Sequence, residues 1–273
     1  MMNSDKHASM KKLILALCIL ATPAFADEFA SSWSKSLKSE ARLISGGDVP
    51  GTGQLAGVEI HLAPNTLTYW RNPGEAGVPP IFNFEGSENL QAAKVLYPAP
   101  SLLSEGGVIA YGYEDRVVFP ILVTAQDAAQ PVKLRYKLDY ATCEKICVPA
   151  KADGELLLQK QGGSAQADIQ RALARVPKTV ALGDTAPLSL LLLTRIADAA
   201  TPTFDVMVAA GETADLFAEG PDAVYLAVQK YDERHFTVKA QDVPADMKTA
   251  QLKLTLVTKS AAIETLVDVS LKP

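Results

Sequence analysis

The sequence predicts an all-β chain of two β-sandwiches joined by a short helix or helical linker. Three observations carry this. Apolar and polar residues alternate with period two through most candidate elements, as in strands with one buried face. The Gly- and Pro-rich stretches "GGDVPGTG", "RNPGEAGVPP" and "YPAPSLLSEGG" separate them, as turns do in sandwiches. One segment, "SAQADIQRALARVP", carries helical spacing instead.

Residues 1–26 read as a secretory signal peptide. Lys11 and Lys12 form a positive start, Leu13 to Ala21 a short apolar run, and Ala24-Phe25-Ala26 a small-x-small site for cleavage before Asp27. Met10 serves equally as the start, and Cys18 leaves with the signal. The rival reading of Cys18 as a lipoprotein cysteine wants a small residue before it, and Leu17 is not small. A membrane span needs about 20 apolar residues. The longest later apolar run, Leu190 to Leu193, is strand-sized. The expectation is an exported, periplasmic protein with no membrane span of its own, in a compartment that oxidises thiols.

Residues 27–160 are assigned to the first sandwich. In "LAGVEIHL", Val58, Ile60 and Leu62 point one way and Glu59 and His61 the other. In "VKLRYKLDY", Val132, Leu134, Tyr136, Leu138 and Tyr140 share one face, opposite Lys133, Arg135, Lys137 and Asp139. "DRVVFPILV" and "GELLLQ" are further strands. Residues 161–180 form the helical linker: Ile169, Leu173 and Val176 lie at helical spacing, Ser164 is placed to cap the start, and Pro177 stops it. Residues 181–273 resume strand patterns in "PLSLLLLT", "TFDVMVAA", "AVYLAVQK", "QLKLTLVT" and "ETLVDVSL", without a cysteine.

With 26 basic and 31 acidic residues, the chain carries a net charge of −5, which argues against nucleic acid or an anionic membrane as partner. It has no Gly-rich phosphate loop, His-Glu-x-x-His or Gly-x-Ser-x-Gly, so nucleotide-dependent and hydrolase chemistry have no support. The chemistry lies in "DYATCEKICVPA", where Cys143 directly follows an alternating strand and Cys147 precedes Val148-Pro149.

Three readings of that pair stand. A structural disulfide closing a five-residue loop contributes only about 2 kcal/mol by the chain-entropy relation. Structural zinc wants four ligands in recognisable pairs, which the cysteines, His61 and His235 do not supply. Cuprous ion can be held by two thiolates, and Cys-x-x-x-Cys near a proline is similar to the copper-delivery proteins of the Sco family. Here, however, the motif follows a hairpin-like strand and no third ligand is placed, so no dedicated copper site is expected. Dithiol–disulfide exchange needs an accessible sulfur and a second cysteine to resolve the mixed disulfide, and a loop at a sheet rim provides for both. Lys145 favours a thiolate there, and Glu144 offsets it.

"YATCEKICVPA" resembles the active-site segment of the N-terminal periplasmic domain of the disulfide reductase DsbD, and most of all its ScsB-like branch. Tyr140, Cys143, Cys147 and Pro149 match. "TYWRNPGEAGVPP" resembles the family's Tyr-Trp-x-Asn-Pro-Gly-x-x-Gly-x-Pro segment, and "AYGYEDRVVFP" the segment after its cap loop. The likeness covers roughly residues 40 to 160. It implies immunoglobulin-like sandwiches and catalytic Cys143 and Cys147, with Cys147 forming the mixed disulfide and Cys143 resolving it. It also implies electrons arriving from a separate membrane-embedded donor and passing to thioredoxin-fold periplasmic proteins, with no cofactor and no metal.

The cysteine spacing is shorter than in the enterobacterial domain and suits the ScsB-like branch. The family's aromatic cap falls by position at Glu105, Gly106 and Gly107, where this chain has no aromatic; Tyr111 and Tyr113 lie just beyond. Tyr140, Tyr69, Trp70, Glu105, Tyr111 and Tyr113 are therefore the candidates for shielding or supporting the pair. Tyr69, Trp70 and Tyr140 fit core packing as well. The alternatives to the relay are a cuprous-ion or copper-tolerance protein, or a non-redox scaffold with a structural disulfide.

Overall fold

A computed structural model describes residues 28–272 apart from Thr52, Ala76 and Asp198. The predicted signal peptide lies outside the described residues. Among the described residues the chain is all-β with one short helix, arranged as immunoglobulin-like paired sheets.

The first pair uses eleven strands. They are β1 (Ser34–Lys35), β2 (Ser39–Val49), β3 (Gly53–Leu62), β4 (Leu67–Gly74), β5 (Ile81–Asn83), β6 (Leu90–Val95), β7 (Ser101–Glu105), β8 (Val108–Glu114), β9 (Arg116–Ala125), β10 (Lys133–Cys143) and β11 (Cys147–Leu157). One sheet has the order β1-β2-β3-β9-β6, and the facing one β11-β10-β4-β8-β7 with β5 also on β10. Leu43, Val58, Ile60, Phe119 and Ile121 from one sheet meet Leu134, Tyr136 and Leu138 from the other in a single core. The alternation predicted for β10 holds through Tyr140; Ala141, Thr142 and Cys143 are then all buried.

The helix α1 (Gln166–Ala174) starts from Ala165 rather than Ser164, with no side-chain cap, and Val176 lies beyond its end. It is more than a connector. Ile169 is buried among Ile44, Leu55 and Val118 on the outer face of the five-stranded sheet, a burial of about 2 kcal/mol. That cover explains Glu59. Its side chain points away from the core as expected, yet is only 2% exposed, because Arg42 Nε (2.8 Å) and Arg116 Nε (2.6 Å) close over it and Arg116 also pairs with Asp168 of α1.

Burial pushes the Glu59 carboxyl up, but hydrogen bonds and charge from Arg42 and Arg116 outweigh this and hold it below 4.5. A depressed folded-state value contributes stability above the unfolded value and loses it as pH falls through the folded one. Glu59→Gln is therefore expected to lose up to about 3 kcal/mol at pH 7, with the gap to wild type shrinking at pH 3. Urea titrations at the two pH values check this; a gap independent of pH contradicts it.

The second pair contains β12 (Lys178–Thr179), β13 (Ser189–Arg195), β14 (Thr203–Ala209), β15 (Ala214–Glu219), β16 (Tyr225–Lys230), β17 (His235–Gln241), β18 (Thr249–Thr258) and β19 (Ala262–Ser270). Its sheets run β12-β19-β18-β15 and β13-β14-β17-β16, around Phe204, Val206, Phe236, Leu252 and Leu254. The two pairs are not beads on a string. Phe217, Val257 and Ala262 are buried in the first core. The Phe217 ring lies 5.7 Å from Trp70 and 4.8 Å from Tyr111, edge-on to each. Beside it, Arg71 donates to Glu219 Oε2 at 2.7 Å and Glu264 Oε2 at 2.9 Å, and Asn72 donates to the Ala218 carbonyl.

Candidate functional site

Cys143 ends β10 and Cys147 begins β11, and they are register partners in the β10–β11 ladder. Three residues, Glu144 to Ile146, make the turn. The ladder brings the Cα atoms to 4.1 Å, and the two sulfurs are joined as a disulfide. The two ends of the bond differ in environment. Cys143 is 1% exposed, in a small apolar cluster with Leu67, Tyr69, Leu103, Ala110 and Ala141. Cys147 is exposed, and Ile146 beside it is 77% exposed. The turn is tethered by an ion pair from Lys38 to Glu144 at 2.9 Å, so the Glu144 charge is answered by Lys38.

Two of the predicted supporting residues reach the sulfurs. Tyr69 Oη lies 2.6 Å from Cys143 Sγ and 3.3 Å from Cys147 Sγ. It also lies 2.8 Å from each Glu105 oxygen. Glu105 Oε1 in turn lies 2.7 Å from Cys147 Sγ. Burial, then the hydrogen bond and negative charge of Glu105, push the Tyr69 phenol well above its usual value. It is therefore a proton donor at neutral pH, never a base. Its one proton has four acceptors within reach, two carboxylate oxygens and two sulfurs.

The backbone explains both placements. "YPAPSLLSEGG" contains a strand where a loop was expected: β7 pairs with β8 and turns at Gly106-Gly107, both at positive φ. That hairpin delivers Glu105 to the position of the expected cap, with a carboxylate in place of an aromatic ring. Tyr69 is held from behind by Gly77, which has φ +105°; a Cβ there would sit 2.1 Å from the Tyr69 ring. Only a glycine lets this loop lie flat on the phenol.

Trp70, Tyr111, Tyr113 and Tyr140 make their contacts elsewhere. Trp70 is the next residue of β4 and so faces the other way, against Phe217. Tyr111 meets the same ring. The Tyr113 hydroxyl donates to the Pro98 carbonyl at 2.7 Å, and that of Tyr140 is 2.6 Å from Ser39 Oγ. His61 bonds Glu59 and His235 bonds Asp232, and neither hydrogen-bonds a cysteine.

Comparison with known proteins fits this geometry. The family model described as thiol:disulfide interchange protein DsbD, N-terminal, matches residues 40–159. The solved N-terminal periplasmic domain of ScsB from Proteus mirabilis superposes with a TM-score of 0.71 at 21% identity, covering 90% of this chain and 100% of that one. A tandem of titin immunoglobulin domains aligns over 86% of this chain and 99% of that one, at a TM-score of 0.21 and 11% identity, and carries no weight. No curated protein sequence matches. Among the described residues, no helix is long and apolar enough to cross a membrane. The cysteine pair thus lies at the tip of a hairpin within residues 40–159, the stretch that matches the DsbD N-terminal model, and the chain shares its fold with the solved ScsB domain.

Proposed function

We propose that this is a periplasmic thiol–disulfide exchange protein that relays two electrons through Cys143 and Cys147. Its donor is a separate membrane-embedded protein, and its acceptors are thioredoxin-fold periplasmic proteins. The observation that carries the reading is the asymmetry of the pair: one sulfur open to a partner, the other buried against a phenol. A donor thiolate attacks the exposed Cys147 sulfur. The disulfide breaks and Cys143 leaves as a thiolate, toward which the Tyr69 O–H turns. The donor's second thiolate then attacks its own sulfur in the mixed disulfide and releases Cys147. The donor is oxidised and the pair reduced by two electrons. The two released thiolates take up two protons from solvent. In the forward half, Cys147 gives its proton to the adjacent Glu105 carboxylate and attacks the acceptor's disulfide; Cys143 then attacks Cys147 in the mixed disulfide and releases the reduced acceptor. The exposed Ile146 offers an apolar contact next to the reacting sulfur.

The domain boundaries belong to the same proposal: an exchange unit to residue 160, a linker to 180, and a second sandwich from 181 that braces β4. The test is equilibration of the full chain with thioredoxin or glutathione redox buffers. The couple is expected above the roughly −300 mV below which structural disulfides usually sit. A much lower value, with no exchange over hours, would mark the bond as a staple.

A further inference from the structure

We propose that, once reduced, the site binds one Zn2+ ion through Cys143 Sγ, Cys147 Sγ and a carboxylate oxygen of Glu105, and that the bound ion shuts thiol exchange off. The inference rests on the proposed function only in requiring that the pair can be reduced. The three donor atoms lie within 4.8 Å of one another, although Glu105 is 42 residues from Cys147. No local motif announces this third ligand; the β7–β8 and β10–β11 hairpins bring it in.

Charge makes the case stronger. Reduction by a dithiol donor delivers two electrons and two protons, and loss of those protons leaves two thiolates beside a carboxylate. Among the described residues, Glu105 makes no ion pair, and Lys38 is committed to Glu144. Lys145 in the turn is the one basic side chain left nearby in sequence, so most of the cluster's charge is left to protons or a cation. The ion would displace both thiol protons to solvent.

The donor set selects the ion. Two thiolates with one carboxylate suit Zn2+, which takes sulfur and oxygen together and tolerates three protein ligands with a fourth position open; the exposed side of Cys147 leaves that position to water. Mg2+ and Ca2+ want oxygen alone, and cuprous ion needs only the thiolates. The Tyr69 O–H lies within reach of either Glu105 oxygen and can donate to the one that does not bind the ion, the outer-shell support that orients a ligating carboxylate.

The full chain, reduced with a phosphine under anaerobic conditions, is titrated with ZnCl2 against a chromophoric chelator. Wild type is expected to bind one ion, and the oxidised protein and the Cys143→Ser/Cys147→Ser variant none. Glu105→Gln is expected to bind at least tenfold more weakly. Zinc-loaded wild type should react slowly with a thioredoxin disulfide until EDTA is added. Absence of one-to-one binding overturns the proposal, as does Glu105→Gln binding as tightly as wild type. A parallel cuprous titration that is tight in both proteins, with zinc weak, overturns it in favour of a two-thiolate copper site. Exchange measured in EDTA without zinc reports on the relay alone, so failure of one reading is separable from failure of the other.

Discussion

Cys143→Ala will accumulate covalent complexes with thioredoxin-fold proteins, and Cys147→Ala will accumulate few or none. The reason is burial. Only Cys147 is open to an incoming sulfur, while Cys143 is 1% exposed and closed in by Leu67, Leu103 and Ala110. With Cys143 gone, Cys147 still forms a mixed disulfide, but the thiol that would resolve it is missing. With Cys147 gone, a partner meets a sulfur it cannot approach. The measurement is a non-reducing gel of periplasmic extract from cells expressing each variant, with trapped partners identified by mass spectrometry. Equal trapping by both variants would remove the assigned order. No trapping by either, with wild-type thiols inert to thioredoxin, would remove the exchange reading.

Arg71→Ala will destabilise the protein by about 3–5 kcal/mol, the loss typical of removing one partner of a buried ion pair. The side chains of Arg71, Glu219 and Glu264 are each about one-fifth exposed. Burial alone would pull the guanidinium's proton affinity down, but its bonds to the two carboxylates drive it up instead, so the charge is fixed. Without it, two largely buried glutamates are left facing each other with no cation between them. Arg71→Lys should recover only part of the loss, because an ammonium cannot fork to Glu219 through two nitrogens while reaching Glu264. Urea midpoints of the three proteins decide the matter; a loss below about 1 kcal/mol would place the cluster among solvent-screened surface pairs.

How much of this was legible beforehand follows from the range of each contact. Period two in "VKLRYKLDY" announced β10 and its inward face, because alternation is a property of consecutive residues. The helix was legible from Ile169 and Leu173. Its seat on the outer sheet was not, since Glu59 and His61 read as an ordinary solvated face. β7 was hidden by the prolines and glycines around it, and only Leu103 of its apolar residues turns inward. Position within the family pointed to Glu105, but the placement of its carboxylate against Cys147 depends on two hairpins far apart in sequence. Tyr69 and Trp70 were indistinguishable as neighbouring aromatics; a strand sends one to the sulfurs and the other to Phe217.

The local nature of the cysteine hairpin also bears on how the chain folds. Cys143 and Cys147 face each other across a three-residue turn, so their meeting requires little more than hairpin closure, on the order of microseconds. Tyr69 and Glu105 arrive through pairings of much larger sequence separation, β4 with β10 and β4 with β8, and such non-local contacts form late. The expected order is sulfurs first and their cover afterwards, visible to pulsed thiol labelling as a brief interval in which both cysteines are open. During that interval Cys143 is as reactive as Cys147, and the asymmetry that separates their roles belongs to the finished fold alone.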